Sequence, residues 1–190
     1  MYKIRSSPFL GDAFLSCSAD WSIKLWSQSP PKDNEQMRFS FNSVEFQDVT
    51  HDVAWSPLCS TVFGSVTGDG RVEVFDLAAS TLDPVVTVMP PPSAGEVAEA
   101  EAAAAAAAAA DPDDLALDAD AEVAPPAPPK RRQFTCITFG RTDPVVVVGD
   151  ANGAVDVFRL QGVGRSASDI PVSDAEQAEA LRLIMFPEGQ

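Results

Sequence analysis

Apolar and polar positions follow one plan three times along this chain. "FLSCSADWSIKLW" (Phe14 to Trp26), "TVFGSVTGDGRVEVFDL" (Thr61 to Leu77) and "PVVVVGDANGAVDVFRL" (Pro144 to Leu160) each begin apolar and turn at a polar corner. Each then runs out as an alternating strand that closes on an aromatic. The corners are Asp20-Trp21, Asp69-Gly70 and Asn152-Gly153, and the closing aromatics are Trp26, Phe75 and Phe158, each six residues after its corner opens. A period of two predicts strands with one face buried. Asp-Gly and Asn-Gly predict tight hairpins in which both corner residues take positive φ. "DVTHDVAWSP" (Asp48 to Pro57) and "FTCITFGRTDP" (Phe134 to Pro144) predict a further strand upstream of the second and third hairpins, and "DPVVTVMP" (Asp83 to Pro90) an outer strand after the second. A full unit is therefore about four short strands.

The corners lie 49 and 83 residues apart, and setting aside Ser93 to Pro129 brings the second interval to 46. Four strands in a period of roughly 40–45 residues is the pattern of a β-propeller blade. The predicted fold is all-β: a partial propeller of about two and a half blades with an insert and a short C-terminal helix. Residues 1–92 form a partial blade and one full blade, 93–129 the insert, 130–162 the last blade and 163–190 a tail. The insert holds nine consecutive alanines (Ala102 to Ala110), an acidic stretch and "PPAPP". Alanine favours helix over Glu96 to Ala110. The Pro-rich flanks and single-sign charge favour disorder, which is the reading adopted. In the tail, Ser173 with Glu176 three residues on is a capping-box pattern, and Leu181, Ile184 and Met185 share one helical face before Pro187. That face either packs on its own propeller or docks on a partner.

Charge and composition narrow the function. The formal charge of -15 argues against binding nucleic acid through its phosphates. Nine acidic residues and no basic one lie in the insert, so much of the acidity is local. No apolar stretch is long enough to span a membrane, and the N-terminus does not read as a signal peptide. Cys17, Cys59 and Cys136 are odd in number and scattered, which fits reduced, buried thiols in the cytosol. Catalysis or a His-based metal site would have to use His51, the one histidine, whose neighbours Asp52 and Ser56 are adjacent in sequence only. No cofactor, metal or catalytic residue is expected. The "KRR" cluster (Lys130 to Arg132) reads as a solvated charge run rather than a nuclear signal or microtubule contact. A propeller enzyme with its site in the central channel would need convergent acid, base or metal groups, and "VTHDVAW" and "FTCITF" offer almost none.

"SADWSIKLW" resembles the end of a WD repeat and "VAWSP" the inner strand of one. In that family a hydrogen-bonded set of His, Ser or Thr, Asp and Trp ties each blade together. By position, Ser18, Asp20 and Trp26 match three members of the set. Thr67 and Asp69 match two, with Phe75 in place of Trp. Asp150, Asn152 and Phe158 depart at every place. The expected His would fall near Phe46 and Lys130 and is absent, so these blades rely more on apolar packing. Within the WD proteins, "DVAWSPLCSTVFGSVTGDGRVEVFDLA" and its neighbours are most similar to the last blades of dynein intermediate chains, especially the axonemal outer-arm type. The resemblance covers Phe14 to Leu160 less the insert. It implies a non-catalytic scaffold in the cytoplasm and cytoskeleton, at the axoneme of a cilium or flagellum. The implied partners are a dynein heavy chain, which carries the ATPase, and other intermediate and light chains; microtubule contact would be indirect, without nucleic acid or membrane. It also implies that this chain is a C-terminal fragment of a longer protein. The alternative is a WD-repeat adaptor unrelated to dynein.

Overall fold

The computed structural model describes residues 1–28, 36–42, 48–89, 97–98, 102, 132–163 and 173–187. Three antiparallel sheets and a helix make up one unit, Met1–Met89 with Gln133–Gln190. Sheet 1 has the order β1 (Lys3–Ser6), β2 (Ala13–Cys17), β3 (Ser22–Ser27), β4 (Met37–Asn42). Sheet 2 follows as β5 (Thr50–Trp55), β6 (Val62–Thr67), β7 (Val72–Asp76), β8 (Val86–Val88), and sheet 3 as β9 (Phe134–Phe139), β10 (Val145–Asp150), β11 (Val155–Arg159). Each sheet is a meander in chain order, the architecture of successive blades in a partial all-β propeller. Pro90–Arg132 form a second unit, in which Val97, Ala98 and Ala102 are helical. The remainder of the expected Glu96 to Ala110 segment, and the acidic and proline-rich stretches after it, lie outside the described residues.

The three repeated hairpins are β2–β3, β6–β7 and β10–β11. Two strands that the alternation does not reveal, β1 and β4, flank the first of them. β1 reads "KIRS" and is exposed at all four positions, so it carries no burial pattern. Its pairing with β2, from Lys3 opposite Cys17 to Ser6 opposite Phe14, defines it instead.

Sheet 2 is packed on both faces, and every residue of β6 and β7 is buried. One face meets sheet 1 through Val53, Trp55, Phe63 and Phe75 against Leu15, Leu25 and Phe41. Phe63 and Phe75 stack with ring centroids 4.7 Å apart, and Phe41 approaches each of them at 5.3 Å. The other face meets sheet 3 through Val62, Val66, Val72 and Val74 against Ile137, Phe139, Val146 and Val148. Gly64 belongs to that contact by necessity. A Cβ there would stand 2.9 Å from Ile137 Cδ1 and 3.1 Å from Phe139 Cζ. A sheet that stacks on two neighbours buries both of its faces, as adjacent repeats do.

Helix α1 (Asp174–Met185) closes the sheet 1–sheet 2 core from outside. Ser173 caps it with the full reciprocal box to Glu176. Leu181 and Met185 are buried in the same cluster as Phe63 and Phe75, with Ile184 packed beside them. Of the two docking alternatives open in the sequence, the helix takes the one on its own propeller. Polar contacts hold its two ends: Gln177 Oε1 accepts from the Ser60 N–H at 3.0 Å, and Arg38 Nε donates to the Met185 carbonyl at 3.1 Å.

Two expectations need correction. The corner residues do not both take positive φ. Only the second of each pair does: Trp21 (65°), Gly70 (85°) and Gly153 (87°). In the second hairpin the Gly70 N–H donates to the Thr67 carbonyl and the Thr67 N–H to the Arg71 carbonyl; Asp150, Gly153 and Ala154 repeat both bonds in the third. This is a three-residue loop, a type I turn followed by one left-handed residue, rather than a two-residue primed turn. The cysteines are unpaired, but they are not all buried. Cys17 is buried and Cys59 half-buried, whereas Cys136 is exposed on the outward face of sheet 3.

Candidate functional site

The loop geometry decides what the corner carboxylates do. Because Asp20 and Asp69 stay out of the left-handed region, their side chains reach forward along the next strand. Asp20 accepts from the Ser22 hydroxyl at 2.6 Å, the Ser22 N–H at 3.2 Å and Lys24 Nζ at 3.0 Å. Those bonds hold its carboxyl well below the ordinary range. Ser18 accepts from the Asp20 N–H at 3.4 Å. In sheet 2 the same positions form a buried chain. The Thr67 hydroxyl and Arg71 Nε both donate to Asp69, the latter at 2.7 Å. Arg71 Nη1 donates to Glu73 at 3.0 Å, and Ser65 Oγ donates to the other Glu73 oxygen at 3.3 Å. Arg71 is only 1% exposed. Burial pushes the Glu73 carboxyl upward, against the pull of Arg71 and Ser65. In sheet 3, Asp150 takes the place of Ser18 and Thr67 and accepts from the Asn152 and Ala154 N–H groups at 3.0 and 2.7 Å. Asn152 itself lies exposed at the corner.

The closing aromatics face the sheet that precedes their own. Phe75 points at sheet 1 and Phe158 packs on the cluster between sheets 2 and 3. Trp26, by the same rule, points outward from sheet 1. It is half-buried, stacked on Phe14 at 6.1 Å, and its indole N–H donates to Ser16 Oγ at 2.8 Å. The equivalent serine in sheet 2, Ser65, faces a Phe with no N–H and bonds Glu73 instead. Trp26 thus finds its partner in Ser16 on the neighbouring strand, not in Ser18 or Asp20 at the corner.

A second polar tie joins the inner strands β1, β5 and β9. Asp52 is 2% exposed, accepts from the Ile137 N–H at 3.3 Å and faces Arg5 Nη2 at 3.6 Å. Arg5 Nε also donates to the Val53 carbonyl, and the Trp55 indole donates to the Arg5 carbonyl at 3.0 Å. Asp52 therefore bridges three sheets and is committed to that task. His51 lies 5.8 Å from the Tyr2 ring, and Ser56 accepts from the Leu58 N–H. Among the described residues, no three His, Cys, Asp or Glu side chains gather at a spacing that would hold a metal ion.

Sequence reasoning missed Arg71, Glu73 and Ser16, and met Asp52 only as a neighbour of His51. A signal existed for the first two. Asp69, Arg71 and Glu73 alternate in "DGRVEV", so period two places all three side chains on one face. Between sheets 1 and 2, at the corner end, that face opens into a cleft of about 400 Å³. It is lined by Trp21, Ile23, Phe41, Asp48, Arg71, Leu82, Asp83 and Pro84 among others. Of the titratable groups in its wall, Arg71 and Glu73 are bonded to each other, and Asp48 accepts from the Val49 N–H at 2.6 Å.

No family model matches the chain. Curated proteins do. Dynein axonemal intermediate chain 4 of Rattus norvegicus is 29% identical over 163 residues, covering 86% of this chain and 15% of that protein. Dynein intermediate chain 2, ciliary, of Heliocidaris crassispina is 31% identical over 160 residues, 84% of this chain and 17% of its own length. The cytoplasmic dynein 1 intermediate chain of Drosophila melanogaster is 39% identical over 83 residues, 44% of this chain and 12% of its own. The chain thus spans less than a fifth of the length of these relatives.

Proposed function

We propose, from the premise that this chain is a homologue of the WD-repeat dynein intermediate chains, that it is a non-catalytic scaffold subunit of an axonemal dynein. On this reading its blades bind a dynein heavy chain and help assemble the motor in the cilium or flagellum. Other intermediate and light chains share the complex, and the chain meets the microtubule only indirectly. The observation that carries the reading is the alignment of 86% of the chain with an axonemal intermediate chain. The physics of the fold supports it. Polar groups that might do chemistry, Asp52, Asp69, Arg71 and Glu73, are spent on holding sheets and strands together. What remains for a partner is the set of loops at the sheet ends, where rigid scaffolds commonly carry binding.

The test is a density gradient on a high-salt extract of cilia from the organism that carries the chain, probed with an antibody to Lys130 to Gln190. Co-sedimentation with dynein heavy chains is the expected result. A signal confined to light fractions or to the cell body would overturn the dynein role and favour an unrelated WD-repeat adaptor.

A further inference from the structure

Trp21 is placed where folding alone would put glycine. The left-handed corner position it occupies belongs to Gly70 and Gly153 in the other two hairpins. For a residue with a Cβ this conformation brings the side chain against the following carbonyl, and a bulky residue there is a true outlier. Trp21 is also 44% exposed. A strained, exposed tryptophan is a conformational cost without matching burial, the kind of cost that gathers at binding sites.

Its surroundings give the cost a purpose. Trp21 stands on the rim of the cleft between sheets 1 and 2, with Leu82, 73% exposed, and Pro84 lining the same opening. Ile23, Phe41 and Phe75 form the apolar floor. Exposed Asp83 and half-buried Asp48, one of whose oxygens accepts from the Val49 N–H, add carboxylates to the lining. Arg71, the only Lys or Arg among the described lining residues, already faces Asp69 and Glu73. The opening is therefore aromatic and apolar with an acidic edge. Tryptophan is the residue most enriched where a few contacts dominate a protein interface.

We infer that this cleft is a docking site for a short basic segment of a partner protein, which inserts an apolar side chain beneath Trp21 and sets its cations against Asp48 and Asp83. The inference rests on the cleft alone and is independent of the dynein reading.

The experiment uses the intact 190-residue chain. Two fluorescein-labelled peptides serve as probes, each with a central Leu-Phe pair, one flanked by Arg and Lys and the other by Glu. Fluorescence anisotropy at two salt concentrations reads binding, and thermal unfolding reads stability. The basic probe should bind and weaken with salt, and the acidic one should bind about tenfold less tightly or worse. Trp21→Gly should weaken the basic probe by about tenfold or more while leaving Tm unchanged or raised. Asp83→Asn should reduce the salt dependence. Equal binding of the two probes, undiminished binding by Trp21→Gly, or a marked fall in Tm for that variant would each overturn the proposal; the last would make Trp21 a packing residue.

Discussion

Among the described residues, Arg71 is one of the largest side chains that is fully buried, beside Phe63 and Phe134. Its guanidinium sits between Asp69 at 2.7 Å and Glu73 at 3.0 Å, and its removal would take that cation from both acids at once. Breaking a buried pair from one side costs about 3–5 kcal/mol, because the surviving charge is left uncompensated. Arg71→Met is therefore expected to lose about that much in urea unfolding at neutral pH. The triple variant Asp69→Asn, Arg71→Met, Glu73→Gln should recover most of it. The sign with pH follows from Glu73. Its folded carboxyl is already raised above 4.5 by burial, and losing Arg71 raises it further. A raised acid destabilises the fold increasingly as pH climbs through its unfolded value, so the Arg71→Met penalty should shrink toward pH 4 and grow above it. An unfolding free energy for Arg71→Met within about 1 kcal/mol of the parent would sink the argument. Trp26 makes a related point about reading single residues. Its identity in "DWSIKLW" is plain, but its bond to Ser16 depends on the β2–β3 register, in which Trp26 faces Phe14 and Ser16 faces Lys24. A one-residue slip would send the indole to the other face of the sheet.

At the scale of elements, α1 is the part most completely written in the local sequence. Ser173 and Glu176 start it, Leu181, Ile184 and Met185 share its apolar face, and Phe186 ends it before Pro187. Its docking is not local. The face meets the seam between sheets 1 and 2, where Leu181 is fully buried, Arg38 lies 4.5 Å over the Phe186 ring, and Gln177 bonds the Ser60 backbone. Leu181→Ala should cost about 2–5 kcal/mol by chemical denaturation, the range for deleting a buried leucine. Leu183→Ala, on the exposed side at 51%, should change stability by no more than about 0.5 kcal/mol. Equal effects from the two would mean that the helix is not docked on the sheets in solution.

At the scale of the whole molecule, three sheets stack in chain order and the central one is sealed on both sides. We propose that Ser93 to Pro129 is an insert separate from the blades, and that deleting it leaves the thermal unfolding transition of the remainder essentially unchanged. Loop-closure entropy changes slowly with length, so the shorter connection gains or loses little. A fall in Tm of several degrees would refute that reading. The sequence by itself determined the hairpins, their period, the strand alternation and the capped helix, because each is set by neighbours along the chain: turn chemistry, a repeat of two, a repeat of 3.6. Only the tertiary structure decided the rest. β1 exists because β2 pairs with it. Arg71 is buried because sheet 1 covers it. Asp52 becomes a bridge because β1 and β9 arrive from either side, and Trp21 stands over a cleft because two sheets meet beside its corner. These are contacts between residues far apart in the chain, and no local pattern of polarity encodes which distant surface will cover which side chain.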